Sequence, residues 1–179
     1  MAKNTEDGIE AYVCPMLIPS NHPLASVNDS YNAVFVNGDA VENAMFYGRG
    51  AGELPTASAV VGDLFDIARN ISAGCCGRIG CTCYKEIPVK KMADTHNRYF
   101  MRLIVEDRCG VLAEMTAVFA KYGVSVAQII QKAAREAGSA EVVVITAKVR
   151  EGDFRTAMEE LSGRKSVRKI SSMLRVYGE

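Results

Sequence analysis

The chain has 179 residues with 21 basic and 21 acidic side chains, so its formal net charge is zero. Hydrophobic residues make up 49% and charged residues 23%, which argues against a disordered chain, and the balanced charge argues against a nucleic-acid footprint. No apolar run reaches the ~18 residues of a membrane span, and MAKNTEDGIE has no apolar stretch of the secretory kind, so a cytoplasmic chain with reduced thiols is expected.

The charge is unevenly spread. Residues 1–97 carry 7 Lys/Arg and 11 Asp/Glu, a net of −4, whereas 98–179 carry 14 and 10, a net of +4. That asymmetry points to two units. Residues 9–18 read as a strand broken at Pro15, which has no N–H for a ladder and so predicts an edge strand or a strand end. Residues 20–30 read as loop with at most one helical turn. Strands follow at 32–37 and about 42–47, and the second runs into Gly48-Arg49-Gly50-Ala51-Gly52. Pro55 suits the first turn of a helix, and Val60, Val61, Leu64, Ile67, Ala68 and Ile71 recur at helical spacing.

Residues 73–97 lose this periodicity. They hold Gly, Pro and the cysteines Cys75, Cys76, Cys81 and Cys83, and they read as a linker between a unit at 1–72 and one at 98–179. The second unit alternates clearly: a strand from Arg98, a turn at 106–110, a helix over 111–122 closed by Gly123, and a strand over 124–133. A turn at Ala137-Gly138-Ser139, a strand over 140–149, a helix opened by Gly152-Asp153 and a last strand over 167–177 complete it. The order is βαββαβ. It predicts an α+β, ferredoxin-like layout with one antiparallel sheet covered by two helices.

Two turns could carry chemistry. The turn Glu106-Asp107-Arg108-Cys109-Gly110-Val111-Leu112 leads from a strand into a helix, where free N–H groups and the helix dipole can hold a carboxylate. It can equally be a tight connection with Asp107 capping the helix. The three glycines at 48, 50 and 52 lack G-x-G-x-x-G spacing, so by themselves they read as a plain tight turn. The four linker cysteines, spaced CC-x4-C-x-C, form no C-x-x-C pair, and no metal is expected there. Cys14 and Cys109 read as small buried apolar residues, and His22 as loop packing. Asp63 and Asp66 read as a solvated helix face, and Arg164, Lys165, Arg168 and Lys169 as a solvated sheet edge.

The second half resembles an ACT domain, through YFMRLIVEDR, DRCGVLAEM, FAKYGVSV and IIQK, with Cys109 where the family turn has Pro. The resemblance implies side-by-side pairing into dimers or tetramers and an amino-acid effector. It places that effector at Asp107, Gly110, Val111 and Leu112, with Ile129 and Ile130 toward the second copy. The first half, through LIPSNHPLASV, NAVFVNGDAV and MFYGRGAGELPTASAVVGDLFDIAR, resembles the C-terminal part of the catalytic region of homoserine dehydrogenase. That family interconverts aspartate 4-semialdehyde and L-homoserine with NAD(P)H, in the biosynthesis of threonine, methionine and isoleucine. The resemblance implies L-threonine as effector. It also implies a glycine turn whose Gly50 and Gly52 meet the nicotinamide cofactor. The family's Rossmann domain and catalytic residues have no counterpart in these 179 residues. The expectation is therefore a piece of the enzyme with no catalytic residue and no bound cofactor of its own, inactive alone and prone to self-association through its uncovered strands. The rival reading is a stand-alone amino-acid-binding regulatory or scaffold protein without dehydrogenase activity.

Overall fold

The computed structural model describes residues 1–77, 83, 85–133 and 136–178. The chain divides into two units: residues 1–19 with 87–179, and residues 20–86. This differs from the 1–72, 73–97 and 98–179 division expected from composition. The first 19 residues and the second half of the expected linker both group with the C-terminal half.

The larger unit holds β1 (Ala2–Thr5), β2 (Gly8–Ala11), β3 (Met16–Leu17), β6 (His96–Glu106), α2 (Val111–Lys121), β7 (Val126–Ala133), β8 (Ser139–Thr146), β9 (Val149–Arg150), α3 (Glu151–Ser162) and β10 (Val167–Val176). Its main sheet has the order β3-β10-β6-β8-β7. From β6 onward the βαββαβ succession is the one expected, with β10, β8 and β7 joined in antiparallel ladders around β6 and β8. Alternation along β6 buries Tyr99, Met101, Leu103 and Val105 against the helices. Val111, Met115, Val118 and Phe119 of α2 and Phe154, Ala157, Met158 and Leu161 of α3 close the core from above. The Tyr99 and Phe154 rings stack with centroids 3.6 Å apart.

The N-terminal segment departs from expectation. Residues 2–11 form a β-hairpin, and only the short β3 continues past Pro15. β3 is an edge strand, as the proline predicts, but it lies parallel to β10 and so extends the second unit's sheet. The sheet is therefore not wholly antiparallel. Ile9 is the second anchor: its N–H donates to the Pro88 carbonyl at 2.8 Å, and its carbonyl accepts from Lys90 N–H at 2.9 Å. These bonds draw 1–19 and 87–90 together, which composition could not reveal.

The smaller unit consists of β4 (Tyr31–Gly38), β5 (Glu42–Arg49) and α1 (Glu53–Ser72). β4 and β5 pair as a hairpin from Tyr31↔Arg49 to Gly38↔Glu42. The Tyr31 and Tyr47 rings stack at 4.9 Å, and the Arg49 guanidinium lies 4.9 Å from the Tyr31 ring. His22 caps a short 3-10 turn at Pro23–Ser26 by accepting from Leu24 N–H, and its ring packs edge-on against Phe35 at 4.7 Å. The loop-packing role expected of it is what the structure shows. No described residue of 20–86 is buried. The apolar stripe of α1 is present and open: Leu54 is 80% exposed, and Val60, Leu64, Phe65 and Ile71 each exceed half exposure.

Candidate functional site

The first candidate is the turn between β6 and α2. Gly110 has φ +89°, a left-handed conformation that suits glycine, and it serves as the N-cap of α2. No side chain caps this helix. The alternative reading, with Asp107 as the cap, is thus corrected: the helix starts at Val111, and the Asp107 N–H instead bonds the Gly138 carbonyl at 3.2 Å. The first-turn N–H groups of α2 therefore have no side-chain cap, and they form the positive end of the helix dipole.

Arg108 spans this turn. Its Nε donates to Glu106 at 3.0 Å and its Nη2 to Glu114 at 2.8 Å. Glu114 is held below its ordinary pKa first by the Arg108 hydrogen bond, and Arg108 is raised first by the Glu114 bond. The Arg108 cation is thus paired within the turn by two carboxylates. Cys109 is exposed, so the buried role expected of it is overturned; it stands at the outer tip of the turn rather than under the helix. Cys14 is half-buried.

The residues expected to hold an effector divide into two groups. Val111 is 3% exposed and its side chain belongs to the core, so only its backbone is available to a ligand. Leu112 packs partly against that core. Ile129 and Ile130, 38% and 50% exposed, lie on β7, opposite Val144 and Val143. Those residues in turn face Met101 and Arg102 in mid-β6. Ile129 and Ile130 are therefore roughly 13 Å from the turn along the strands and two strand spacings, ~10 Å, across them. A single chain does not bring the two groups together. β7 pairs only with β8, and its outer edge has no partner strand among the described residues.

The second candidate is the glycine turn. Gly52 has φ +124° and is the N-cap of α1, again with no side-chain cap. At Gly50 a Cβ would come within 1.7 Å of the Asn32 Nδ2 atom. Gly48 has open space around its missing Cβ. Gly52 is thus required by its backbone conformation, whereas a side chain at Gly50 would have to displace the exposed Asn32 side chain; together with Thr56 and Val60 the two glycines line a shallow open concavity. The described residues there offer backbone and small side chains and no phosphate-binding cluster. Among the described residues no group of metal-ligating side chains occurs, and Cys81 of the linker cluster lies outside them. No helix among them is long and apolar enough to cross a membrane.

Residues 1–65 match the family profile of homoserine dehydrogenase, and residues 99–164 match that of the ACT domain. The chain is 41% identical to homoserine dehydrogenase of Corynebacterium glutamicum over 97% of its own length and 38% of that protein's. It is 39% identical to the Synechocystis homoserine dehydrogenase, over 98% of this chain and 41% of that one. The chain is similar along nearly its whole length to one part of homoserine dehydrogenases, a part that ends in an ACT domain. It spans about two-fifths of the length of the curated relatives it matches. Among solved structures, homoserine dehydrogenase from Thiobacillus denitrificans superposes with a TM-score of 0.86 at 32% identity, covering 98% of this chain and 41% of that one. The Staphylococcus aureus enzyme at pH 7.0 gives 0.57 at 26% identity, covering 99% and 40%.

One feature of the fold escaped sequence reasoning altogether. Tyr12, Asn97, Tyr99, Glu151 and Arg175 form a polar cluster at the far end of β6. No motif joins them, and their positions span almost the whole chain.

Proposed function

We propose that this chain is the part of a homoserine dehydrogenase that joins the end of the catalytic region to a regulatory ACT module. The parent enzyme interconverts aspartate 4-semialdehyde and L-homoserine with NAD(P)H, which supplies or accepts the hydride when bound. The chain alone is inactive, because the groups that bind the cofactor phosphates and move the proton are not among its residues. Gly50 and Gly52 contribute a small-residue surface to the nicotinamide end of the cofactor: a side chain at either position would fill the turn or strain it.

In the ACT module, the exposed amides at the start of α2 receive the effector carboxylate, and Asp107 offers an acceptor for its ammonium group. Ile129 and Ile130 of a second copy supply the apolar wall. Pairing along the β7 edge, as dimer or tetramer, brings the two groups into one site. L-threonine is the effector proposed. By favouring one arrangement of the paired modules, it would shift the catalytic region's equilibrium.

The observation that carries this reading is the co-occurrence, in one chain, of a match to the dehydrogenase at 1–65 and to the ACT domain at 99–164. An assay of L-homoserine oxidation, with NAD+ and NADP+ in turn, tests it on the intact gene product and on this 179-residue chain. Activity in the first and none in the second is the expected result. An intact product without activity would favour the regulatory or scaffold reading.

A further inference from the structure

The smaller unit is inserted into the larger one. The chain leaves the larger unit after Pro19 and re-enters it at Ile87. Both crossing segments are fastened at the same corner, and one side chain touches both. The Arg175 guanidinium lies 5.1 Å from the ring of Tyr12 on the outgoing segment. Its Nη2 also reaches Met92 Sδ, at 3.5 Å, on the returning segment. The same Nη2 donates to the Glu151 carboxylate at 2.7 Å, and that carboxylate accepts the Tyr99 hydroxyl.

The two segments are also laced to each other through this corner. The Tyr12 hydroxyl donates to Asn97 Oδ1 at 2.6 Å, and Asn97 Nδ2 donates to Thr95 Oγ1 at 3.2 Å. The Thr95 carbonyl accepts the Glu151 N–H at 2.8 Å, which ties the returning segment to the first turn of α3. Arg175 and Glu151 are only 16% and 10% exposed, so breaking their pair would leave a charge in a poorly solvated place. Burial lowers the Arg175 pKa, but the Glu151 bond and Cys14 outweigh it and the net shift is upward. Burial and then the Glu151 bond raise the Tyr99 phenol.

We propose that Arg175, seated on Glu151, is a buckle that fastens the outgoing segment 12–19 and the returning segment 87–95 as one cooperative element. The buckle sits at the opposite end of β6 from the effector turn. The two segments are separated by almost 70 residues of sequence, yet they open together or not at all. This inference does not depend on which ligand the ACT module binds.

Amide hydrogen exchange on the 179-residue chain tests it. The variant Arg175→Met with Glu151→Gln removes both charges, so no unpaired carboxylate remains to unfold the module. Exchange at 12–19 and at 87–95 is expected to accelerate together, by about tenfold or more, while 99–105 and 140–146 keep their protection. The milder Tyr12→Phe variant keeps the ring and removes only the hydroxyl; a smaller acceleration, again in both segments, is expected. Acceleration in one segment alone, a general loss of protection reaching β6 and β8, or no change would each overturn the proposal.

Discussion

The two units of this chain bury their apolar residues in opposite ways. Every member of the buried core lies between Tyr99 and Val167, whereas the apolar stripe of α1 and the faces of β4 and β5 stay open. Both regions have the periodicity that marks amphipathic elements. The difference is whether a partner surface lies within the unit. In the ACT module β6, β8, α2 and α3 supply each other's cover. The described residues of the 20–86 unit form one hairpin and one α-helix, too little to enclose a core. Amphipathic pattern therefore reports that a face is made to be covered, and not that the same chain covers it.

Core truncation is the most forceful way to test this contrast. Phe154→Ala should destabilise the ACT module by about 3–5 kcal/mol, since Phe154 is fully buried and stacked on Tyr99. The matching change Phe65→Ala, at a residue 60% exposed, should alter unfolding by less than ~0.5 kcal/mol. Denaturant unfolding of the two variants checks both. Equal losses would mean that α1 is covered in solution.

A charge on the open stripe acts next. Leu64→Glu should weaken concentration-dependent self-association of the chain without lowering the ACT module's unfolding midpoint, as read by sedimentation and by near-ultraviolet circular dichroism. Unchanged association would assign all pairing to the ACT module and make the α1 face inert.

The glycines sharpen the comparison at the level of single turns. Gly52→Ala and Gly110→Ala place a side chain at φ +124° and +89°, and each should cost about 1–2 kcal/mol locally. Gly48→Ala should be nearly silent, because its missing Cβ points into open space. Exchange rates at 53–60 and 111–118 separate the three.

The smallest effect is electrostatic. Glu160 accepts from Lys121, Arg164 and Tyr122, and these bonds, Lys121 first, bring its carboxyl down to about 2. A pKa depressed in the folded state stabilises the fold above the unfolded value near 4.5, and that contribution is lost as pH falls toward about 2. Glu160→Gln should therefore lower the thermal midpoint slightly at pH 7 and make little difference near pH 2. An equal difference at both pH values would show that packing, not charge, ties α2 to α3.

Much of the fold was legible in the sequence. Alternation gave β6 and β10, helical spacing gave α1, α2 and α3, and Gly123 and Gly138 marked the turns. Pro15 correctly announced an edge strand. What it could not announce was the sheet that the edge belongs to, since β3 pairs with a strand about 160 residues later. The hairpin at 2–11 was hidden because Lys3, Asn4 and Thr5 carry no apolar alternation. The site was legible only in part. Gly110 takes the left-handed conformation that a tight turn asks for and Val111 is core, but Cys109, expected to be buried, is at the surface. Arg175 was invisible as a functional residue. It acts through partners at positions 12, 92 and 151, and no local pattern encodes such a meeting.

We propose above that the ACT module of this chain senses an amino acid. Thermal unfolding of the chain against a panel of amino acids, with NADPH as a separate condition, tests it directly. A ligand that binds only the folded state raises the midpoint by an amount set by its concentration over Kd. An upward shift with L-threonine and none with NADPH is expected. A chain whose midpoint moves with no amino acid, at concentrations up to tens of millimolar, would contradict it.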